Sequence, residues 1–282
     1  MLKAWITGAG GLIGNYLVQT APHYGLAWRV VGLTRAALDL TDFSNVRSRF
    51  QHDHPQLIIH CAALSRGPAC EADPVLARKL NVDVTACLAD LAVDIPFILF
   101  SSDLVFDGLK GNYAETDAPA AWCVYSETKI AAEQIVLKNP KHSVVRTSLN
   151  AGVSPTGERS FNEQMRRDWQ AGRVLKLFVD EYRCPLPAVV TARAVWELAG
   201  LNRPGLYHLA GRERLSRWEL GQLIAARCPE LNPRIEPCSR ADYKGPQRPR
   251  DTSLNCARIQ QVLPCRLPGL REWLKAHPDE PF

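Results

Sequence analysis

Residues 1–16, MLKAWITGAGGLIGNY, set four glycines (Gly8, Gly10, Gly11 and Gly14) between an apolar run and a helical pattern. Ala4, Trp5 and Ile6 read as a short buried strand, while Leu12, Ile13, Tyr16 and Leu17 recur at helical spacing. Glycine weakens helices and strands alike, so its density at a strand-to-helix junction marks a steric demand. Either a tight turn needs it, or a phosphate approaches the backbone at a helix N-terminus, where amide donors and the helix dipole favour an anion. The rest of the chain has to separate the two.

Outward from this stretch, strand and helix patterns alternate. Strands are expected at Ala4–Thr7, Arg29–Leu33, Gln56–Cys61, Phe97–Ser101 and Ser143–Arg146, and helices at Leu12–Ala21, Phe43–Gln51, Pro74–Ala92 and Tyr125–Leu137. Most of the strands are apolar on both faces, as parallel strands covered on two sides must be. The alternation predicts an α/β fold, a Rossmann-type doubly wound parallel sheet, with ligands at the carboxyl ends of its strands. A chain of 282 residues has room for one or two domains and a substantial core.

Each strand end carries its own chemistry. The first opens the phosphate loop, Gly8, Gly10, Gly11, Leu12, Ile13 and Gly14. The second ends at Thr34 and Arg35, without the acid that NAD sites place there for the ribose hydroxyls. Both residues are suited to donate to a 2′-phosphate, so NADP(H) is the expected cofactor; an Arg35 that is merely solvated would leave NAD(H) equally suited. Asp39 and Leu40 follow, within reach of an adenine. The third strand ends in Cys61, Ala62 and Ala63, small enough for a flat cofactor to lie against. With no catalytic partner for its thiol, Cys61 reads as a packing residue.

The fourth strand ends at Ser101, Ser102 and Asp103, with hydroxyls expected in the cleft. Tyr125 and Lys129 are four apart in a helical pattern and share a face. A hydroxyl to bond a substrate carbonyl, a phenol to transfer a proton and an ammonium to lower the phenol's pKa form a working set. The lysine also has the length to reach a nicotinamide ribose.

Composition excludes other classes. The net charge of +5 is spread along the chain, with Arg166–Arg167 and Arg248–Pro249–Arg250 its densest basic spots, so no clustered face for nucleic acid is expected. No apolar run approaches the ~20 residues that cross a bilayer, and the chain opens on a strand, which argues against a targeting segment. Nine cysteines, odd in number and without a C-x-x-C pair, fit a reducing cytoplasm. His52, Asp53 and His54 lack further ligands nearby and read as solvated surface, so no metal is expected.

With these motifs in hand, the sequence resembles the extended short-chain dehydrogenase/reductases, and within them the dTDP-4-dehydrorhamnose reductase-like branch. The matching stretches are TGAGGLIG (7–14), LDLTD (38–42), HCAA (60–63), SSDLVFDG (101–108), YSETK (125–129), VVRTS (144–148), GLYHLAG (205–211) and RPRDTSL (248–254). The resemblance implies that Ser102 is the catalytic Ser/Thr, Tyr125 the acid/base and Lys129 its partner. It also implies that Asn81 supports a proton-relay water beside the cofactor, and that Asp103 and Arg183 face the substrate. Arg183 suits a substrate anion; a salt bridge with Asp180 or Glu181 is the competing reading. Residues 1–150 and about 189–212 would form the NADP-binding domain, and about 151–188 and 213–282 a smaller interleaved substrate lobe. A homodimer through helix 74–92 or 125–137 follows by the same likeness.

The substrate implied is a small-molecule carbonyl, such as the 4-keto group of a nucleotide-linked sugar. Rhamnose-type reductases carry an aromatic and a Trp where this chain has Leu104 and Leu149. Leu104 also stands where sugar-nucleotide dehydratases carry a glutamate, which favours reduction or oxidation over elimination. Two readings stay open beside it: epimerisation, which uses the same Tyr and Lys, and a non-catalytic NADP-binding regulatory subunit similar to that of methionine adenosyltransferase.

Overall fold

The computed structural model describes residues 1–282. Five strands, β1 (Leu2–Thr7), β2 (Trp28–Leu33), β3 (Leu57–His60), β4 (Phe97–Ser102) and β5 (His142–Thr147), join a late strand, Gly205–Leu209, in one sheet. The order is Gly205–Leu209, β5, β4, β3, β1, β2, and every pairing is parallel. Alternate residues feed different layers. Ala4, Ile6, Leu57, Ile59, Ile98, Phe100 and Val145 pack into one cluster, and Trp5, Ile58, Phe97, Leu99 and Val144 into another. That division is why the strands carry apolar residues on both faces.

The first cluster is covered by α1 (Leu12–Tyr24) and the helix Ala188–Leu201, tied together where Trp196 Nε1 donates to the Leu17 carbonyl at 3.0 Å. On the other face lie α2 (Phe43–Asp53) and, after the short α3 (Gly67–Ala72) and α4 (Pro74–Arg78), α5 (Val84–Leu91) and α6 (Val124–Val136). They contribute Val46, Leu88, Ala132 and Val136 to the second cluster. A fully buried Leu or Ile contributes about 1.5–3 kcal/mol relative to exposure, so these two layers supply much of the stability. A separate cluster, including Trp169, Leu220, Ile224, Trp273 and Phe282, forms beneath the parallel pair Val174–Phe178 and Arg234–Cys238. β1 lies between β2 and β3, so the chain reverses direction across the sheet there. The crevice at their carboxyl ends is the position where doubly wound folds bind ligands. No helix is long and apolar enough to cross a membrane.

Three sequence expectations need correction. The single helix expected at Pro74–Ala92 is interrupted: α4 passes through a π turn, Lys79–Asp83, into α5, and Asn81 sits in that turn. α1 does not stop before Pro22 but runs to Tyr24, because a proline in the last turn forfeits only one ladder bond. Asp53 is not solvated. It is 8% exposed and accepts from Trp5 Nε1 at 3.0 Å and Arg49 Nε at 2.8 Å, anchoring the end of α2 to β1.

Three buried histidines set the acid limit of this fold. Burial pushes His60 down to about 3 and His208 down to about 4, and it also lowers His142. Folded, they stay neutral; unfolded, each takes up a proton as the pH falls below about 6.5. Stability is therefore intact above that value and lost as pH falls towards the folded values, at about 1.4 kcal/mol per pH unit for each of His60 and His208. Urea midpoints across this window are expected to drop steeply, and His60→Asn to reduce the slope. A slope untouched by that substitution would assign the acid sensitivity elsewhere.

Candidate active site

The glycine loop separates into residues that the fold requires and one that it does not. Gly8 has φ +68°, and a Cβ there would lie 2.7 Å from the Ala62 nitrogen; a Cβ on Gly14 would lie 2.3 Å from the Gly8 carbonyl oxygen. Both are needed for β1, the loop and α1 to close on the end of β3. At Gly11 the nearest atom would be the Gly8 oxygen at 3.2 Å, a contact that a small shift relieves. At Gly10 a Cβ would meet only the Thr34 methyl, at 3.8 Å. Nothing in the protein excludes a side chain at Gly10, so its bareness leaves room for a ligand. α1 begins at Gly11 with no side-chain cap and no acid in its first turn, whereas α2 is capped by the Asp42 side chain. Leu12 and Ile13 thus bring an open, dipole-positive N-terminus to the loop. The donor set fits a dinucleotide pyrophosphate.

At the end of β2, Thr34 lies beside Gly10, and its Oγ1 accepts from the Ala37 nitrogen at 3.3 Å. Arg35 is exposed and makes no ion pair or hydrogen bond, so its guanidinium is free for an anion. Asp39 is spent on a turn. Its carboxylate accepts from the Thr41 nitrogen at 2.9 Å and Thr41 Oγ1 at 2.8 Å, which hold it below the usual carboxylate range. Leu40 packs partly buried against the Trp5 cluster.

At the end of β3, Cys61 and Ala62 are half-buried and Ala63 is exposed. Burial raises the Cys61 thiol far above its ordinary value, so it stays protonated. Asn81 Oδ1 accepts from the Leu64 nitrogen at 2.8 Å, while Nδ2 donates to the Leu64 carbonyl at 3.1 Å and to Thr128 Oγ1 at 3.0 Å. These bonds brace the segment after β3 against α6, between Tyr125 and Lys129. The Asn81 side chain thus acts as a brace, with its amide donors engaged.

Ser102 ends β4, and Tyr125 stands in the first turn of α6. The entry to α6 is fixed by Ser126 Oγ, which accepts from the nitrogens of Trp122 and Cys123 at 2.9 and 3.0 Å. Trp122 Nε1 then donates to the Leu104 carbonyl at 2.9 Å, tying the exit of β4 to the start of α6. The result brings Tyr125, 8% exposed, beside Ser102, close enough for the Ser102 hydroxyl to favour its phenolate. Leu104 packs against the Tyr125 cluster and gives the site an apolar wall. Burial raises the phenol above its ordinary 10.0, and the Ser102 hydrogen bond draws it back.

Lys129 is 3% exposed and donates to the Phe100 carbonyl at 2.7 Å. Burial lowers it to about 8, with Glu133 acting in the opposite direction. The Arg183 cation also favours the phenolate of Tyr125. Arg183 in turn bonds neither Asp180 nor Glu181. Its Nε and Nη2 donate to the two oxygens of Asp103 at 2.6 and 2.5 Å, and both side chains are buried. Glu181 is instead held well below the carboxylate range, to about 2, where the cations of Arg217 and Arg248 outweigh its burial.

Sequence reasoning missed a second buried pair behind the lysine. Arg146 on β5 donates to Glu133 through Nη2 at 2.6 Å, and its Nη1 lies 3.4 Å from His208 Nε2. Glu133 stands four residues after Lys129, on the same helix face, and that spacing was the available signal. Tyr16, on the helical pattern of α1, accepts through its hydroxyl from the Val153 nitrogen at 3.2 Å, so α1 is linked to the segment after β5.

Comparison with known proteins agrees with this fold. The chain is 30% identical to the "Probable low-salt glycan biosynthesis reductase Agl14" of Haloferax volcanii, over 98% of this chain and 97% of that protein. It is also 30% identical to methionine adenosyltransferase 2 subunit beta of Pongo abelii, over 96% and 87% of the two chains. Among solved structures, the dTDP-4-dehydrorhamnose reductase of Bacillus anthracis in complex with NADP shares the fold, with a TM-score of 0.88, 24% identity and 98% coverage of both chains. The match to the family described as RmlD substrate binding domain spans residues 2–280, nearly the whole sequence, and the chain belongs to that family.

Proposed function

We propose that the chain is an NADP(H)-dependent oxidoreductase that reduces a ketone on a nucleotide-linked sugar. The observation that carries this reading is the buried pairing of Ser102 with Tyr125. It lies at the carboxyl end of β4, the same edge of the parallel sheet as the uncapped glycine loop. Gly10, Gly11 and the first turn of α1 would hold the pyrophosphate, Thr34 and Arg35 the 2′-phosphate, and Cys61, Ala62 and Ala63 the surface beneath the cofactor. In this reading residues 1–150 and 189–212 carry the cofactor, and residues 151–188 and 213–282 carry the substrate.

The reduced nicotinamide, when bound, supplies a hydride. The Ser102 side chain lies beside the substrate carbonyl oxygen, and the Tyr125 hydroxyl delivers its proton as negative charge develops there. Lys129, lowered to about 8 and so mostly charged at neutral pH, favours the phenolate that remains and reaches the ribose. General acid catalysis of this kind contributes about 10²–10⁴-fold. The reading is tested by offering the purified chain a panel of carbonyl substrates, nucleotide-linked 4-keto sugars included, and following loss of NADPH absorbance.

The likeness to methionine adenosyltransferase 2 subunit beta supports a second reading, a subunit that binds NADP without turning it over. Tight NADPH binding, no consumption with any member of the panel, and a stable complex with a methionine adenosyltransferase would select it.

Arg35 tests cofactor choice. A charge-assisted hydrogen bond contributes about 1.5–3 kcal/mol, so NADPH affinity is expected to fall roughly one to two orders of magnitude in Arg35→Ala. NADH affinity should barely change, because NADH has no phosphate to lose. Calorimetric titration of both cofactors checks this, and equal losses for the two would end the NADP assignment.

A further inference from the structure

Asp103 has no capacity left for a substrate. Its two oxygens accept from Ser102 Oγ at 3.2 Å, Ser148 Oγ at 2.6 Å, Thr252 Oγ1 at 3.3 Å, and Arg183 Nε and Nη2 at 2.6 and 2.5 Å. The carboxylate is 0% and Arg183 6% exposed. The groups come from the ends of β4 and β5, from the strand at Tyr182–Arg183 and from the RPRDTSL stretch, so the knot joins four distant segments beside the reacting groups.

The hydrogen-bond directions decide what the knot does. An ionised carboxylate only accepts. Ser102 Oγ therefore gives its single proton to Asp103, and one of its lone pairs already accepts from the Leu104 nitrogen at 3.1 Å. Those two bonds fix the Ser102 hydroxyl beside the Tyr125 phenol. A bare Asp103 would add a negative charge beside that phenol, and Arg183 cancels it at hydrogen-bond distance.

We propose that Asp103 and Arg183 are a positioning pair: the carboxylate orients the Ser102 hydroxyl and the guanidinium neutralises that carboxylate beside Tyr125. Neither residue touches the substrate. The inference rests on the reading of Ser102 and Tyr125 given above, and its two charges have opposite consequences for the phenol. Arg183 favours the phenolate and Asp103 opposes it, each from the same buried knot.

The test follows the Tyr125 phenol itself, by carbon NMR of ring-labelled tyrosine, with Tyr125→Phe assigning the resonance. No substrate is needed, so the outcome is independent of whether the chain turns over a sugar. Asp103→Asn leaves an unopposed cation and is expected to lower the phenol midpoint by about one unit or more. The charge-balanced double variant Asp103→Asn/Arg183→Met should return it towards the wild-type position. A folded Asp103→Asn with an unmoved phenol overturns the proposal, and so does an equal shift in the double variant, which would trace the effect to packing.

Should Asp103→Asn not fold, Arg183→Met tests the same point from the other side, by leaving the Asp103 charge unopposed beside the phenol. With any alcohol that the wild type oxidises, turnover needs the phenolate as base. The rising limb of the pH profile should then move to higher pH by about one unit, which reads as a roughly tenfold loss at fixed pH. A profile of reduced height but unchanged position would show a structural role only and overturn the proposal.

Discussion

Tyr125→Phe is expected to reduce turnover by ~10²-fold or more while NADPH affinity stays within about twofold of wild type, the scale of losing a general acid. The phenylalanine ring fills the same buried space, 8% exposed, and the packing against Cys70, Ala77 and Leu104 is retained. One hydrogen bond, to Ser102, is lost, which costs the fold only about 0.5–1.5 kcal/mol. The chemical step loses the phenolic proton that Tyr125 delivers. Steady-state kinetics with matched cofactor titrations check the result. Rates like those of the wild type would remove Tyr125 from the mechanism.

Two glycines four apart should fail in different ways. Gly10→Val is expected to leave the protein folded, because a Cβ there has only the Thr34 methyl within reach, at 3.8 Å. The added branches fill the space above the α1 N-terminus, and NADPH affinity should fall at least about two orders of magnitude, or about 2.7 kcal/mol. Gly14→Ala places its Cβ 2.3 Å from the Gly8 oxygen, a clash that only backbone movement can relieve. That variant should lose stability by about 1–3 kcal/mol or more, the scale of overpacking, and lose binding as a consequence. Thermal denaturation beside fluorescence titration separates the two failures. A folded Gly10→Val that binds NADPH as wild type does would refute the assigned phosphate site.

The fold was largely legible because its signals are local. Glycine density after β1, two-sided apolar strands and helical spacing each report on a few neighbouring residues, and the five expected sheet strands begin and end within two residues of expectation, while the sixth, Gly205–Leu209, was not among them. Tyr125 and Lys129 were legible for the same reason, being one helical turn apart. What stayed hidden depends on partners far apart in sequence. Arg183 lies three residues from Asp180 and two from Glu181, yet it bonds Asp103, eighty positions away. Nothing in FVDEYRCPLP announces that choice, which is made when the late segments fold back over the end of β4. Asn81 was recognisable as a residue of interest, but its task depends on the Leu64 backbone and Thr128, and on a π turn that no periodicity reveals. Asp53 looked solvated because its neighbours are polar; the indole of Trp5 buries it.

The central claim is that a hydride moves between the cofactor and a sugar carbonyl. Its most direct test uses NADPH deuterated at the transferable position of the nicotinamide, incubated with a nucleotide-linked 4-keto sugar and the purified chain. The expected result is a sugar alcohol with one deuterium on its new carbinol carbon, with NADP formed in equal amount. Deuterated NADPH recovered unchanged, with the sugar either untouched or inverted at a neighbouring carbon, would contradict it.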